Sequence, residues 1–382
     1  MARLNPLLAR LDAYPLVELT EKRREVEARG IALYDFGLGD PVDPTPDFVQ
    51  DALRAGVKPT SRYPVVQGTP ELRRAVTAYL LRRFGVDLDP DRSVVPTSGS
   101  KEAVFHLPLL VVDRDAPDRA VVFPDPGYPA WQRGALFAGG DAVPVPLSGD
   151  FRFRPWELPS DLLARTRLLI VNSPHNPTGA VSSLDDLART LEVCKEHDIL
   201  LAADETYCDI YDGVPPPSIL QVATEGVVAI HTLSKRSSMA GYRTGFIAGD
   251  PAWIRRLVDF RANPGVAAQD FVNAAAAVAW ADDETPRARA RSYIQRRRLV
   301  EGFLADAGFE VIRSDATFYV WFKAPEGYDD VTYAARLLDA GIVAAPGRLF
   351  ALTDAGRGWL RLAIMPDLEG CRKALEVWRS LL

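Results

Sequence analysis

Lys235 stands in the stretch Thr232-Leu-Ser-Lys-Arg-Ser-Ser-Met-Ala-Gly-Tyr-Arg-Thr-Gly245, just after the β-branched run Val227-Val228-Ala229-Ile230. Its amine should emerge past the carboxyl end of a strand, flanked by the hydroxyls of Thr232 and Ser234 and followed by Arg243. Neighbouring cations and partial desolvation lower a lysine's pKa and free the lone pair that attacks a carbonyl. An arginine and hydroxyls can take phosphate oxygens. The combination suits a phosphorylated carbonyl compound. A Ser-Lys pair after a strand reads equally well as an exposed loop lysine, so the weight falls on what stands at the other strand ends.

Those ends carry unusual polar residues. Ser98-Gly99-Ser100-Lys101-Glu102 is a small-residue turn into a helix, where free amides can hold a phosphate or simply be capped. It lacks the GxxxxGK[ST] spacing of a P-loop. In Asp125-Pro126-Gly127-Tyr128-Pro129 two prolines stiffen a turn that could hold the Tyr128 ring over a flat heterocycle; for Tyr128 alone, ordinary core packing is the better reading. Asn172-Ser-Pro-His-Asn-Pro-Thr-Gly179 fixes the Asn176 amide as a donor to a phenolate or carboxylate oxygen, with His175 a bystander. The apolar run Leu200 to Ala203 ends in Asp204, and a buried carboxylate is costly unless a cation pairs with it. A protonated pyridine nitrogen would be such a cation, and Tyr207 could reach the ring hydroxyl. Glu205 should point the other way, so no magnesium site is expected. A lysine, a pyridinium-pairing aspartate, a phosphate cup and an aromatic lid together specify pyridoxal phosphate.

Positioning these residues takes a regular frame. Apolar runs ending near Thr97, Pro124, Asn172, Ala203 and His231 alternate with helical stretches at 101–112, 184–197 and 251–261. That pattern predicts an α/β fold with a mostly parallel sheet, whose ligands lie outside the strands' carboxyl ends. Upstream, the spacing predicts a helix over 16–29 ended by Gly30, a strand over 31–36, a turn at Gly37-Leu-Gly-Asp-Pro41, a helix over 47–55 and a helix capped by Thr69. Downstream, helices over 274–280, 286–304, 331–340 and 368–381 interleave with strands over 309–313, 317–322 and 359–363. The expected division is 1–36 as a segment packing with the small domain, 37–263 as the large domain and 264–382 as a smaller α+β domain. Arg287, Arg289, Arg291, Arg296, Arg297 and Arg298 are expected on a solvated helix face.

Composition excludes several classes. A net charge of -6 offers no basic field for nucleic acid or an anionic membrane, and no apolar segment reaches spanning length. Cys194, Cys208 and Cys371 lack CxxC spacing, which argues against a disulfide framework and a zinc site. GxGxxG is missing, so a dinucleotide-binding dehydrogenase is rejected. A cytoplasmic protein without metal is expected.

The chain resembles the class I/II pyridoxal-phosphate-dependent aminotransferases of the aspartate aminotransferase fold (fold type I) over essentially its whole length. The likeness rests on Asn176-Pro-Thr-Gly179, Asp204-Glu-Thr-Tyr207 and Ser234-Lys235 with Gly241-Tyr-Arg243, in the family's order. It implies that Lys235 carries the cofactor as an imine and shuttles the proton, that Asp204 pairs with the pyridine nitrogen, and that Tyr207 and Asn176 bind the ring oxygen. Tyr128 would stack on the ring. The phosphate would be held by the amides of Ser100 and Lys101, by Ser234, Thr232 and Arg243, and by Tyr63 of the neighbouring subunit of a homodimer. Arg361, with the Gly39 backbone, would bind the substrate carboxylate. Thr232 stands where Gly or Ser is usual and Thr244 where an apolar residue is usual, which puts the phosphate geometry in question there. Segments 99–108, 125–129 and 136–140 are similar to the diaminopimelate and succinyldiaminopimelate aminotransferases of lysine biosynthesis. That implies a long dicarboxylic amino donor with 2-oxoglutarate and a second cation that the sequence does not single out. Alternatives are an aspartate or aromatic aminotransferase, a carbon-sulfur lyase, and a regulatory module that senses the cofactor.

Overall fold

The computed structural model describes residues 3–10, 17–314 and 316–382; Leu16, the expected start of the first helix, falls outside them. In chain order the strands are β1 (Tyr34–Asp35), β2 (Val94–Thr97), β3 (Ala120–Asp125), β4 (Asp141–Pro146), β5 (Thr166–Asn172), β6 (Leu200–Asp204), β7 (Val227–Thr232), β8 (Gly245–Gly249), β9 (Val311–Ile312), β10 (Tyr319–Lys323), β11 (Ile342–Val343), β12 (Ala345–Pro346) and β13 (Trp359–Ala363).

Strands β2 to β8 form one sheet in the order β2-β8-β7-β6-β5-β3-β4. All its pairings are parallel except those of β8, which runs against β2 and β7. The mostly parallel α/β sheet expected from the sequence is therefore present. Side chains alternate between two covered faces, which is why the strands read as unbroken apolar runs. Leu168, Ile170, Ala202, Val228 and Ile230 pack with Trp131 on one side. Leu169, Leu201, Ala203, Val227 and Ala229 join Tyr79 and Trp280 on the other. Strands β4 and β8 are absent from the sequence reading for local reasons. Pro144 and Pro146 mark β4 as a sheet edge, where a missing N–H is tolerated, and Gly245 and Gly249 bracket β8 with residues that read as turns.

A second sheet, β12-β13-β10-β9, is antiparallel, and β1 pairs in parallel with β11 beside it. Phe36 is fully buried in the core of this second body with Val300, Leu337 and Trp378, and its carbonyl accepts Ala363 N–H at 2.7 Å. The helix Asp270–Ala281 packs instead on Asp47–Gly56 and Pro70–Phe84, and its Ala275, Ala276, Ala279 and Trp280 belong to the core of the large sheet. Asp125, at the end of β3, joins the bodies: its buried carboxylate accepts Leu352 N, Thr353 N and Thr353 Oγ1 at 2.8, 2.9 and 2.5 Å.

Two expectations need correction. The helix foreseen over 101–112 is two pieces, Ser100–His106 and Pro108–Val111, because Pro108 has no N–H to continue the first ladder. The arginine run is not wholly solvated, since on the helix Glu284–Asp306 Arg296 and Arg297 are buried. Arg296 donates to the carbonyls of Met365 and Pro366, and Arg297 to those of Ala316 and Thr317, so both guanidiniums serve as internal donors to loop backbone. Arg287, Arg291 and Arg298 remain exposed.

Candidate active site

The carboxyl ends of β2, β3, β5, β6 and β7 converge on one edge, and a cavity of about 560 Å³ opens there against β10, β13 and the turn after β1. Gly39, Ser100, Lys101, Tyr128, Asn176, Asp204, Tyr207, Thr232, Ser234, Lys235, Arg243 and Arg361 all line it. Tyr63, expected at the phosphate, does not line it; its side chain stands fully exposed.

Lys235 sits in the short helix Leu233–Arg236 that follows β7 directly. Its Nζ donates to the carbonyl of Gly39 at 2.5 Å, which ties the large sheet to the segment after β1. Burial pulls its pKa down to about 8; Asp40 opposes that shift, while Arg361 and Arg243 add to it. An ordinary lysine is almost fully protonated at neutral pH, whereas this one offers a usable fraction of free amine.

Asp204 closes β6 and is buried. One carboxylate oxygen accepts Thr206 N and Oγ1 at 3.3 and 2.6 Å, and no ion-pair partner is present among the described residues. Burial raises its pKa, with the Thr206 bonds offsetting only part. A carboxylate so placed is short of a cation. Asn172, at the end of β5, holds the neighbouring turn: its Oδ1 accepts Asn176 N and its Nδ2 donates to Asp204 O, both at 2.8 Å. Asn176 Oδ1 in turn accepts Arg361 Nη1 at 3.0 Å. Arg361 comes from β13, donates to Gly37 O at 2.8 Å, and lies flat between Tyr319 and Phe350, 4.5 and 4.2 Å from their ring centres. Such stacking is worth roughly 0.5–2 kcal/mol and leaves the edge of the guanidinium to meet an anion. Tyr207 is buried with its hydroxyl 2.9 Å from that of Tyr319, and burial holds its pKa well above the usual range, so it remains an O–H donor.

The other end of the cavity is a cup. Gly99 has φ +81, and a Cβ there would fall 2.7 Å from Arg243 Nη2, so only glycine lets the guanidinium close over the turn. Arg243 donates to Ser98 O at 3.0 Å and to Ala240 O at 2.8 Å. Behind the cup, Glu102 accepts Ser98 N and pairs with the buried Arg261. Thr232 caps the helix of Lys235: its Oγ1 accepts Ser234 N at 3.2 Å and lies 3.0 Å from Ser234 Oγ and 3.1 Å from Thr244 O. Thr244 is fully buried and outside the cavity lining. The sequence did not mark Asn172, Thr206, Tyr319 or Phe350. Asn172 and Thr206 sit beside motif residues and carry a weak signal; Tyr319 and Phe350 come from the second body and carry none.

A family model, Aminotransferase class I and II, matches residues 32–377. The chain belongs to the class I and II aminotransferases. This aminotransferase is 35% identical over 380 residues to LL-diaminopimelate aminotransferase of Aquifex aeolicus, covering 97% of each chain. Among solved structures it resembles a single mutant of Thermus thermophilus aspartate aminotransferase, with a TM-score of 0.92 at 28% identity over all of both chains. It also resembles a probable N-succinyldiaminopimelate aminotransferase of the same organism, with a TM-score of 0.90 at 28% identity over 96% of this chain and 100% of that one. The aminotransferase is a pyridoxal-phosphate-dependent transaminase. Its residues fit that cofactor: the cation-poor Asp204 faces the cavity, the lysine is partly neutral, and the glycine cup lies under Arg243.

Proposed function

We propose that this aminotransferase moves an amino group from LL-diaminopimelate, or its N-succinyl form, to 2-oxoglutarate in lysine biosynthesis. The observation that carries the reading is a partly neutral Lys235 sharing one cavity with the cation-poor Asp204 and the carboxylate-ready Arg361. The substrate branch draws on relatives named LL-diaminopimelate aminotransferase, each 35% identical along nearly the whole chain.

When bound, pyridoxal phosphate supplies a carbonyl for the amino donor and an electron-withdrawing ring. Asp204 stays ionised against the ring nitrogen, Tyr207 and Asn176 donate to the ring oxygen, and Tyr128 covers the ring. Ser100, Lys101, Ser234 and Arg243 hold the phosphate, and Thr232, its hydroxyl engaged by Ser234 and Thr244, orients Ser234. Arg361 and the Gly39 backbone grip the α-carboxylate. Neutral Lys235 Nζ takes the proton from the substrate Cα. Fixed charges and proximity account for the rate gain that the residues supply in this scheme. Lys101 stands at the exposed rim with its ammonium 5.9 Å from the Tyr128 ring centre, and it is the cation we assign to the distal carboxylate.

The working unit in this proposal is a homodimer, with Tyr63 of each copy completing the phosphate cup of the other. The exposed Phe48, Val57, Tyr63, Val65 and Phe271 support such a face. Residues 1–36 act with the small domain, 37–263 bind the cofactor and 264–382 form the smaller domain, with the helix Asp270–Ala281 riding on the large one. A cytoplasmic setting agrees with three buried free cysteines; among the described residues no helix is long and apolar enough to cross a membrane. Measuring kcat/KM for LL-diaminopimelate, succinyldiaminopimelate, aspartate and phenylalanine, each with 2-oxoglutarate, tests the substrate. A clear preference for aspartate or phenylalanine would refute the branch, and pyruvate with ammonia released from cystathionine without a keto acid would point to a lyase.

A further inference from the structure

Tyr319 belongs to β10 in the second body, yet its side chain reaches the cavity and touches three parts of the site. Its hydroxyl is 2.9 Å from that of Tyr207. Its ring lies 4.5 Å from the Arg361 guanidinium carbon. Gly39 approaches it so closely that a Cβ there would sit 2.5 Å from the Tyr319 oxygen, and Gly39 is the residue whose carbonyl accepts Lys235. No other residue meets Tyr207, Arg361 and Gly39 together among the contacts described above.

We propose that Tyr319 is a positioning residue that donates its O–H to the Tyr207 oxygen, turning the Tyr207 proton toward the cofactor's ring oxygen, while its ring fixes the plane of Arg361. This rests on the cofactor reading given above. A hydroxyl has one proton and two lone pairs, so only one hydrogen lies between two facing tyrosines. If Tyr207 spent its proton on Tyr319, it would have none for the ring oxygen. With Tyr319 as donor, Tyr207 accepts on one side and donates on the other, and each bond in such a chain strengthens the next. The charged and titratable groups that share the cavity with the pair are Arg361, Lys235, Arg243, Lys101, Asp40, Asp204 and Tyr128. Behind Tyr319, Phe318 and Tyr293 pack it from the second body. Both tyrosines are buried, so a misaligned proton would leave a donor or acceptor poorly met inside the protein.

Tyr319→Phe keeps the ring and removes the O–H. Two readouts separate the hydroxyl from simple packing. The pH midpoint of the bound cofactor's absorption band should rise by roughly 0.3–1 unit, because the Tyr207 bond to the ring oxygen loses both its fixed orientation and the strengthening from Tyr319. The apoprotein's affinity for pyridoxal phosphate should fall by about 3- to 10-fold, while its affinity for an analogue lacking the ring hydroxyl stays the same. KM for the amino acid should change by less than about twofold in Tyr319→Phe but rise by about 3- to 10-fold in Tyr319→Leu, which also removes the stack on Arg361. An unchanged midpoint, or equal loss of affinity for both compounds, would overturn the proposal. Wild-type protein that takes up no cofactor at Lys235 would instead overturn the reading of the site, and this proposal with it.

Discussion

Asp204 and Glu205 are consecutive residues at the end of one strand, and they meet opposite fates. Asp204 faces the cavity, accepts hydrogen bonds from Thr206, and carries a pKa raised by burial. Glu205 faces the reverse side, where one oxygen accepts Ile219 N at 2.7 Å and the other lies 2.9 Å from His231 Nε2. Burial opposes charge on His231, but Cys208 and Glu205 outweigh it and push its pKa up to about 10. Beside them Asp209 is met by Arg83 and Arg236 at 3.0 and 2.7 Å and accepts Tyr79 O–H at 2.8 Å. Although burial works against it, those arginines hold Asp209 below the usual carboxylate range. The back of the sheet is thus electrostatically complete from within the chain. The front is left incomplete, in the sense that its buried groups need a ligand to satisfy them.

The largest expected effect breaks the front. Lys235→Ala should slow the amino-donor half-reaction by about 10⁴-fold or more, followed by stopped-flow absorbance; turnover within tenfold of wild type would remove Lys235 from the mechanism. Next, Asp204→Asn should lower kcat on the order of 10³-fold. The same change should leave the apoprotein no less stable to urea at pH 7. The sign follows from linkage: a carboxyl raised above its unfolded pKa contributes stability only while protonated, and that contribution is lost as pH rises through the folded value. Asp209→Asn should do the reverse, costing about 3–5 kcal/mol in urea melts because the buried Arg236 and the half-buried Arg83 lose the anion they share, with the cofactor band retained. Loss of stability in the first variant but not the second would invert the comparison.

A smaller effect is a matter of pH. Lys235 must be neutral to capture cofactor, so the apoprotein's uptake rate should climb about tenfold per unit below a midpoint near 8 and flatten above it. Uptake still climbing steeply at pH 10 would mean an ordinary lysine. The smallest effect is expected at the rim. Lys101→Met should raise KM for a long dicarboxylic donor by roughly 3- to 10-fold, as a solvent-screened charge pair allows, and leave a donor without a distal charge nearly unaffected. Equal KM changes for both donors would free Lys101 of the distal role.

Much of the front was legible because chemistry that reaches outward needs residue types that local packing does not explain. Asp204 after four apolar residues, Gly99 between serines and Lys235 after a β-branched run are each anomalous in their own segment. The back was less legible. Glu205 pointing away follows from strand alternation, but His231, Arg236 and Asp209 look like ordinary polar residues until three separate segments fold together. Arg296 and Arg297 were misjudged for the same reason: a helical arginine looks solvated unless a loop's carbonyls come to it.

The sequence by itself determined the alternation of strands and helices, the carboxyl-end placement of the polar residues and the identity of the cofactor chemistry. Each of these depends on neighbours along the chain, through the two-residue period of strands and the backbone demands of glycine and proline. Only the tertiary structure decided that β8 runs backward between β2 and β7, that the helix Asp270–Ala281 packs on the large sheet, and that Tyr319 and Phe350 sandwich Arg361. Those arrangements bring together residues far apart in the chain, and shape complementarity and shared burial select them rather than any local preference.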